Sequence, residues 1–167
     1  MGKSEENLKA AFAGESQANR KYLAFAKAAD KEGLPQVARL FRAAAEAETI
    51  HAHNHLRALG AVGTTAENLK AAFDGETYEF IQMYPSFITE AVQDGNRKAQ
   101  QSFTYANAVE KVHAALYDRA LGAVKQSQDM PAATMWVCSV CGNTVENEAP
   151  EKCPVCGTSG TAFYRVD

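Results

Sequence analysis

Two Glu-x-x-His stretches carry the first chemistry legible in this chain: Glu48-Thr49-Ile50-His51 and, 62 residues later, Glu110-Lys111-Val112-His113. Residues three apart share one face of an α-helix, so each stretch aims a carboxylate and an imidazole at the same point. Two such helices, together with one further Glu from each of two others, provide the ligands of a dinuclear carboxylate metal site in a four-helix bundle. Glu15 and Glu76 are placed to be those further ligands. A single Glu-x-x-His would more often be a solvated helix face. Two copies with matched glutamates argue for metal, because unpaired carboxylates rarely sit inside a bundle.

The elements that position these groups are themselves repeated. ENLKAAFAGE at 6–15 returns as ENLKAAFDGE at 67–76, with nine of ten positions identical, and RALGAV at 57–62 returns at 119–124. The first 124 residues thus read as two copies of one helical hairpin, 4–62 and 65–124. Each copy brings one Glu from its first helix and one Glu-x-x-His from its second. The first helix is expected from an N-cap at Ser4 to about Lys31, and the second opens after Gly33-Leu34-Pro35 and runs to about Leu59. The third begins at an N-cap at Thr65 and ends near Gly95, and the fourth runs from Asn96 to about Val124. Phe12, Phe25, Phe41, Phe73, Phe87 and Phe103 recur at helical spacing and read as core. His53 points away from Glu48 and reads as surface, and His55 as a core or rim histidine.

The copies differ by one residue. Glu15 to Tyr22 spans seven positions, whereas Glu76 to the matching Tyr84 spans eight. A single insertion within a helix is usually absorbed as a π-bulge, a feature that gathers at functional sites. Beside it lies Glu79, matched in the first copy by Ala18, so the site has a fifth carboxylate on one side only. Pro85 follows closely, where a kink is also expected.

All four cysteines, Cys138, Cys141, Cys153 and Cys156, fall in the last thirty residues as two C-x-x-C knuckles. Two converging knuckles make a tetrahedral thiolate site, and in a reducing compartment this reads as metal rather than disulfide. Spacing alone leaves structural zinc and a redox-active single iron open. In either case the metal must hold so small a module together.

Composition narrows the remaining classes. With 46% hydrophobic residues, a net charge of −3 and no basic block, nothing points to nucleic acid or to an anionic membrane. The start MGKSEENLKAAF has no apolar signal core, which suits a cytoplasmic protein.

In combination, Glu15, Glu48-x-x-His51, Glu76-x-x-Glu79 and Glu110-x-x-His113, followed by CSVCG and CPVCG, resemble the rubrerythrin family over essentially the whole chain. The resemblance implies a mainly α protein, with a ferritin-like four-helix bundle at 1–128 and a small rubredoxin-like metal-knuckle domain at 134–167. It implies a di-iron centre with an oxo bridge in the bundle and one Fe(Cys)4 iron in the tail, which zinc can replace in recombinant protein. By the same resemblance Glu48 and Glu110 bridge the irons, Glu15 and Glu79 hold one, and Glu76 and His113 hold the other. His51 replaces Glu79 on reduction, and Tyr22 and Tyr84 line the pocket. The implied activity is reduction of hydrogen peroxide to water, with electrons from an external donor such as rubredoxin or an NAD(P)H-dependent reductase relayed through the Fe(Cys)4 centre.

A charge count agrees with such a switch. Five carboxylates against two ferrous ions leave about −1 and against two ferric ions about +1, so exchanging Glu79 for neutral His51 suits the reduced site. A ferroxidase or iron-storage protein would use the same bundle without needing the tail. A zinc-ribbon adaptor would leave the glutamates unexplained.

One further expectation comes from the link between the copies. In a ferritin-like bundle the second and third helices run in the same direction, so the chain must return roughly 30 Å along the axis between them. Residues 60–65 reach at most about 22 Å. The copies are therefore expected to pair between chains, as a domain-swapped homodimer with Glu15, Glu48 and His51 from one subunit and Glu76, Glu79, Glu110 and His113 from the other.

Overall fold

Residues 2–166 are described by a computed structural model of the chain; the outermost residues of the two expected domains, 1 and 167, lie outside them. The chain is mainly helical, with four long helical segments and a small C-terminal strand region that carries the four cysteines. Helix α1 spans Lys3–Lys31 and α2 Pro35–Ala58. Helix α3, Thr65–Tyr78, passes through a π-helical turn, Glu79–Met83, into α4, Tyr84–Gln93. Helix α5 covers Arg97–Lys125. The chain divides into two compact units, Met1–Gly63 and Thr64–Asp167.

Local chemistry sets the helix ends. The first helix starts two residues earlier than expected, with Gly2 rather than Ser4 at its N-cap and no side chain closing it. Pro35 opens α2, where its missing N–H costs nothing. Two successive bonds, Gly60 N–H to the Arg57 carbonyl at 3.0 Å and Ala61 N–H to the Leu56 carbonyl at 3.1 Å, close the other end of α2. The N-cap of α3 is Thr64, not Thr65. Its hydroxyl accepts from the Glu67 N–H while the Glu67 carboxylate accepts from the Thr64 N–H at 2.7 Å, a reciprocal box that needs Glu three residues on. Asn96 caps α5 through the Ala99 N–H.

The inserted residue in the second copy is absorbed as expected. In the π turn the Tyr84 N–H bonds the Glu79 carbonyl, five residues back. Pro85 has no N–H to give, and its ring would crowd the carbonyl four residues earlier in an ordinary helix, so the wider turn accommodates it.

The hairpins are held by narrow seams. In the first, the buried positions of α1 and α2 are Ala26, Ala29, Ala38, Ala45 and Ala52, with Asn19 the buried polar group. Alanine lets the helix backbones approach closely, and larger side chains flank the seam. Tyr22, Phe25 and Phe41 form an aromatic triad with ring centroids 5.6–6.4 Å apart. Their repeat partners Tyr84, Phe87 and Phe103 form a second, at 5.5–6.3 Å. The expectation that all six phenylalanines are core holds only in part. Phe12, Phe41, Phe73 and Phe103 are half-buried, but Phe25 is 47% and Phe87 38% exposed. A hairpin of two helices buries one stripe, and these rings lie at its margin.

In the C-terminal module β1 (Met135–Cys138) is central, flanked antiparallel by β2 (Thr144–Glu146) and β3 (Phe163–Val166). Phe163 packs with Cys138 and Cys153 in a small core, bordered by Trp136, Val145 and Val155. Trp136 is tied at its indole N–H to the Asn147 carbonyl, 3.0 Å away.

Candidate metal centres

The first unit brings together Glu15 from α1 and Glu48 and His51 from α2. The second unit does the same with Glu76 from α3 and Glu110 and His113 from α5. Within each triad one ligand atom per residue lies within 4.8 Å of the others. The two Glu-x-x-His pairs share one contact distance. His51 Nδ1 stands 2.8 Å from Glu48 Oε2, and His113 Nδ1 stands 2.8 Å from Glu110 Oε2.

Electrostatics show why such a cluster wants a cation. Burial, and then the neighbouring Glu110 carboxylate, pushes Glu76 above the usual carboxylate range. Burial and the charge of Glu76 push Glu79 the same way. Tyr84 is raised by burial and by the fields of Glu79, Glu110 and Glu76, which places its phenol beside the second triad. A divalent ion among these oxygens removes the repulsion that a proton otherwise relieves. Glu79 itself opens the π turn, one helical step from Glu76.

The neighbours of the triads are less visible in sequence. Buried Asn19 reaches from α1 to α2, its amide donating to the Ala45 carbonyl at 2.7 Å and to Thr49 Oγ1 at 2.8 Å, directly beside Glu48. That bond fixes how the two helices present their carboxylates. Its position in the second copy holds no asparagine, so the repeat gave no hint of it. His53 is exposed, as expected, and His55 is half-buried.

The four cysteines converge as free thiols. Cys138 and Cys156 sulfurs lie 3.8 Å apart, and those of Cys141 and Cys153 3.6 Å apart. Two sulfurs bound at about 2.3 Å to one tetrahedral metal would stand about 3.8 Å apart. The residues therefore fit a single ion. Each knuckle closes with a glycine N–H returned to the first cysteine's carbonyl, Gly142 to Cys138 at 2.8 Å and Gly157 to Cys153 at 2.9 Å. Both glycines need positive φ, 83° and 74°, which side chains disfavour. Although burial alone would raise it, the Cys153 thiol is brought down to about 7 by the backbone N–H groups of Cys156 and Val155, so it ionises readily. Burial pushes Cys141 up against the pull of the Asn143 N–H. A metal would resolve this imbalance by taking all four as thiolates.

The second unit also joins its two clusters. Thr144, three residues past Cys141, sets its hydroxyl 2.9 Å from His113 Nε2. Nearby, Arg119 of α5 holds Glu146 of β2 at 2.6 Å.

A mainly helical chain with paired carboxylate–histidine triads and a tetracysteine module defines a class of non-haem metalloproteins, and comparisons narrow it. The rubrerythrin family model matches residues 6–121, and the model for the rubredoxin-like domain of rubrerythrin matches 136–164. Rubrerythrin-2 of Clostridium acetobutylicum is 36% identical over 170 residues, covering 93% of this chain and 92% of that protein. Nigerythrin of Nitratidesulfovibrio vulgaris is 39% identical, covering 93% of this chain and 83% of that one. Among solved structures, fully reduced, all-ferrous nigerythrin matches at a TM-score of 0.58 and 37% identity, covering 99% of this chain and 88% of the other. The chain belongs to the rubrerythrin family, a family of oxidoreductases. Its carboxylate and histidine groups are those of a di-iron site, and its four cysteines those of an Fe(Cys)4 centre. No helix among the described residues is long and apolar enough to cross a membrane.

Proposed function

We propose that the protein is a cytoplasmic peroxide reductase that converts hydrogen peroxide to water at the di-iron site, with residues 1–128 forming the di-iron domain and 134–167 the electron-supplying domain. The observation that carries this reading is the 2.9 Å bond between His113, a member of a carboxylate–histidine triad, and Thr144 of the tetracysteine module. A storage or ferroxidase protein has no use for a thiolate centre set against a ligand histidine. A di-iron pair held there would supply two electrons together for cleavage of the O–O bond, and iron held by the four cysteines would return them singly, which zinc cannot do. The external donor is rubredoxin or an NAD(P)H-dependent reductase.

The chain's own residues divide the work. Glu48 and Glu110 would bridge the metal pair, each lying 2.8 Å from the Nδ1 of the histidine one turn on. Glu15 and Glu79 would hold one side, and Glu76 and His113 the other. The side chain of His51 is 54% exposed, against 28% for His113, and among the described residues its ring is held through Nδ1 alone. A ring with one tether can swing in when Glu79 withdraws. Glu79 is suited to withdraw, since it carries the repulsion of Glu76 and sits in the widened turn. Tyr22 and Tyr84 close the pocket from equivalent aromatic triads.

Stopped-flow oxidation of the diferrous protein tests the activity. Hydrogen peroxide should oxidise it much faster than oxygen does; equal or reversed rates would overturn the reading. Glu79→Ala should lower turnover by roughly 10- to 100-fold while di-iron binding falls less. A variant that cycled at the parent rate would remove Glu79 from the switch.

The site is also proposed to be shared between two chains. The escape from a swap would be unwinding the last turn of α2 and the first of α3, yet both are capped. The Gly60 and Ala61 N–H bonds close one end, and the Thr64–Glu67 box starts the other. Each unit gathers one carboxylate–histidine triad, and each leaves large apolar side chains exposed, Leu40 (68%) and Ile50 (59%) in the first, Ile81 (56%) and Val92 (55%) in the second. A hairpin from a second copy is the partner that completes both.

A further inference from the structure

Thr144 Oγ1 lies 2.9 Å from His113 Nε2 and 3.2 Å from the Gly142 carbonyl, an acceptor only, so the hydroxyl can give its proton to Gly142 and accept one from the ring. His113 Nδ1 faces Glu110 at 2.8 Å and Glu76 at 3.9 Å. When Nδ1 binds metal the ring proton sits on Nε2, and Thr144 is the group placed to accept it. His51, with the same Glu-x-x-His geometry, has no such anchor among the described residues.

Thr144 is in turn placed by the cysteine cluster. It opens β2 directly after Asn143, whose backbone N–H bonds the Cys141 sulfur and whose carbonyl accepts from the Cys138 N–H at 2.9 Å. Asn143 is only 2% exposed, so this corner of the first knuckle is packed on all sides. A module of this size owes its fold to its metal. Without the metal, the turn that sets Thr144 against His113 loses the centre that orders it, and the Arg119–Glu146 pair alone ties β2 to α5 nearby.

We propose that Thr144 is a positioning residue through which the filled cysteine cluster fixes the ring of His113, so that metal in the tail strengthens metal binding at Glu76, Glu110 and His113. This rests on the di-iron reading above. It predicts a coupling carried along named atoms, from Cys141 through Asn143 and Thr144 to His113.

Cobalt(II) binding to the full-length protein tests it, because thiolate charge-transfer bands report the cysteine cluster and weaker visible bands report the carboxylate–histidine site. Thr144→Val should bind cobalt at the carboxylate–histidine site roughly 10-fold more weakly, with the thiolate bands unchanged. Thr144→Ser, which keeps the hydroxyl, should restore binding to within about twofold. Cys141→Ser with Cys156→Ser should cost the same as Thr144→Val, and the combined variant no more than either, since both break one connection. In zinc-loaded protein the His113 Nε2 proton should be seen in a strong hydrogen bond in the parent and in Thr144→Ser, and shift in Thr144→Val. Unchanged affinity and an unmoved His113 proton in Thr144→Val overturn the inference, even if the variant melts at a lower temperature. Additive losses overturn the coupling. A parent protein that bound cobalt only through its cysteines would overturn the di-iron reading itself.

Discussion

Co-expression of a Glu48→Ala chain with a Glu110→Ala chain should restore di-iron sites that neither variant forms alone. In a swapped dimer each site takes one hairpin from each chain, so a mixed dimer holds one site with both bridging glutamates and one with neither. Random pairing makes half of the dimers mixed, and about a quarter of all sites should be intact. Each variant by itself lacks one bridge in every site, and its activity should be near background. Iron content and peroxidase activity of the co-purified mixture, set against the two separate proteins, read the outcome. If each chain closed its own bundle, every site would still lack one bridging carboxylate and no recovery would be seen. The effect is all-or-none because a bridging carboxylate contacts both metals. The structural motive is equally plain: six non-helical residues, 59–64, between two capped helices cannot unwind cheaply to span a bundle.

Replacing Cys141 and Cys156 by Ser should abolish reduction by an external donor, a loss of more than about 100-fold, because the tetracysteine centre is the proposed entry point for single electrons. Chemically reduced variant, at saturating iron, should still consume one round of hydrogen peroxide. The carboxylate and histidine ligands for that round all lie outside the cysteine module. Loss of the single turnover would show that the tail is needed to build the pocket rather than to supply electrons. Colour gives an independent reading on the parent protein: aerobically purified material should be red and bleach on reduction. A tail that stayed colourless after loading with iron would end the case for electron relay.

How much of this was written in the chain can be judged residue by residue. The ligand types, their spacing and their duplication were legible because helical geometry is local. Three residues apart is one face wherever the helix goes, and Glu48 and His51 stand 2.8 Å apart for the same reason that Glu110 and His113 do. The π turn was legible too, as one residue too many between matched landmarks, and so were the knuckles, whose Cys-x-x-Cys-Gly pattern closes on its own carbonyl. Neighbouring threonines were harder to separate. Either Thr64 or Thr65 could cap α3, and the choice fell to Thr64 because Glu67 is three residues from it. Packing decided what remained. Whether Phe25 and Phe87 are covered depends on a layer that a single hairpin does not contain. Asn19 gains its partners only when α1 lies against α2, 26 and 30 residues away along the chain. Thr144 meets His113 across 31 residues, a contact that no periodicity encodes. It depends on how a strand docks on a helix, and only the tertiary structure could show that the tetracysteine module touches His113.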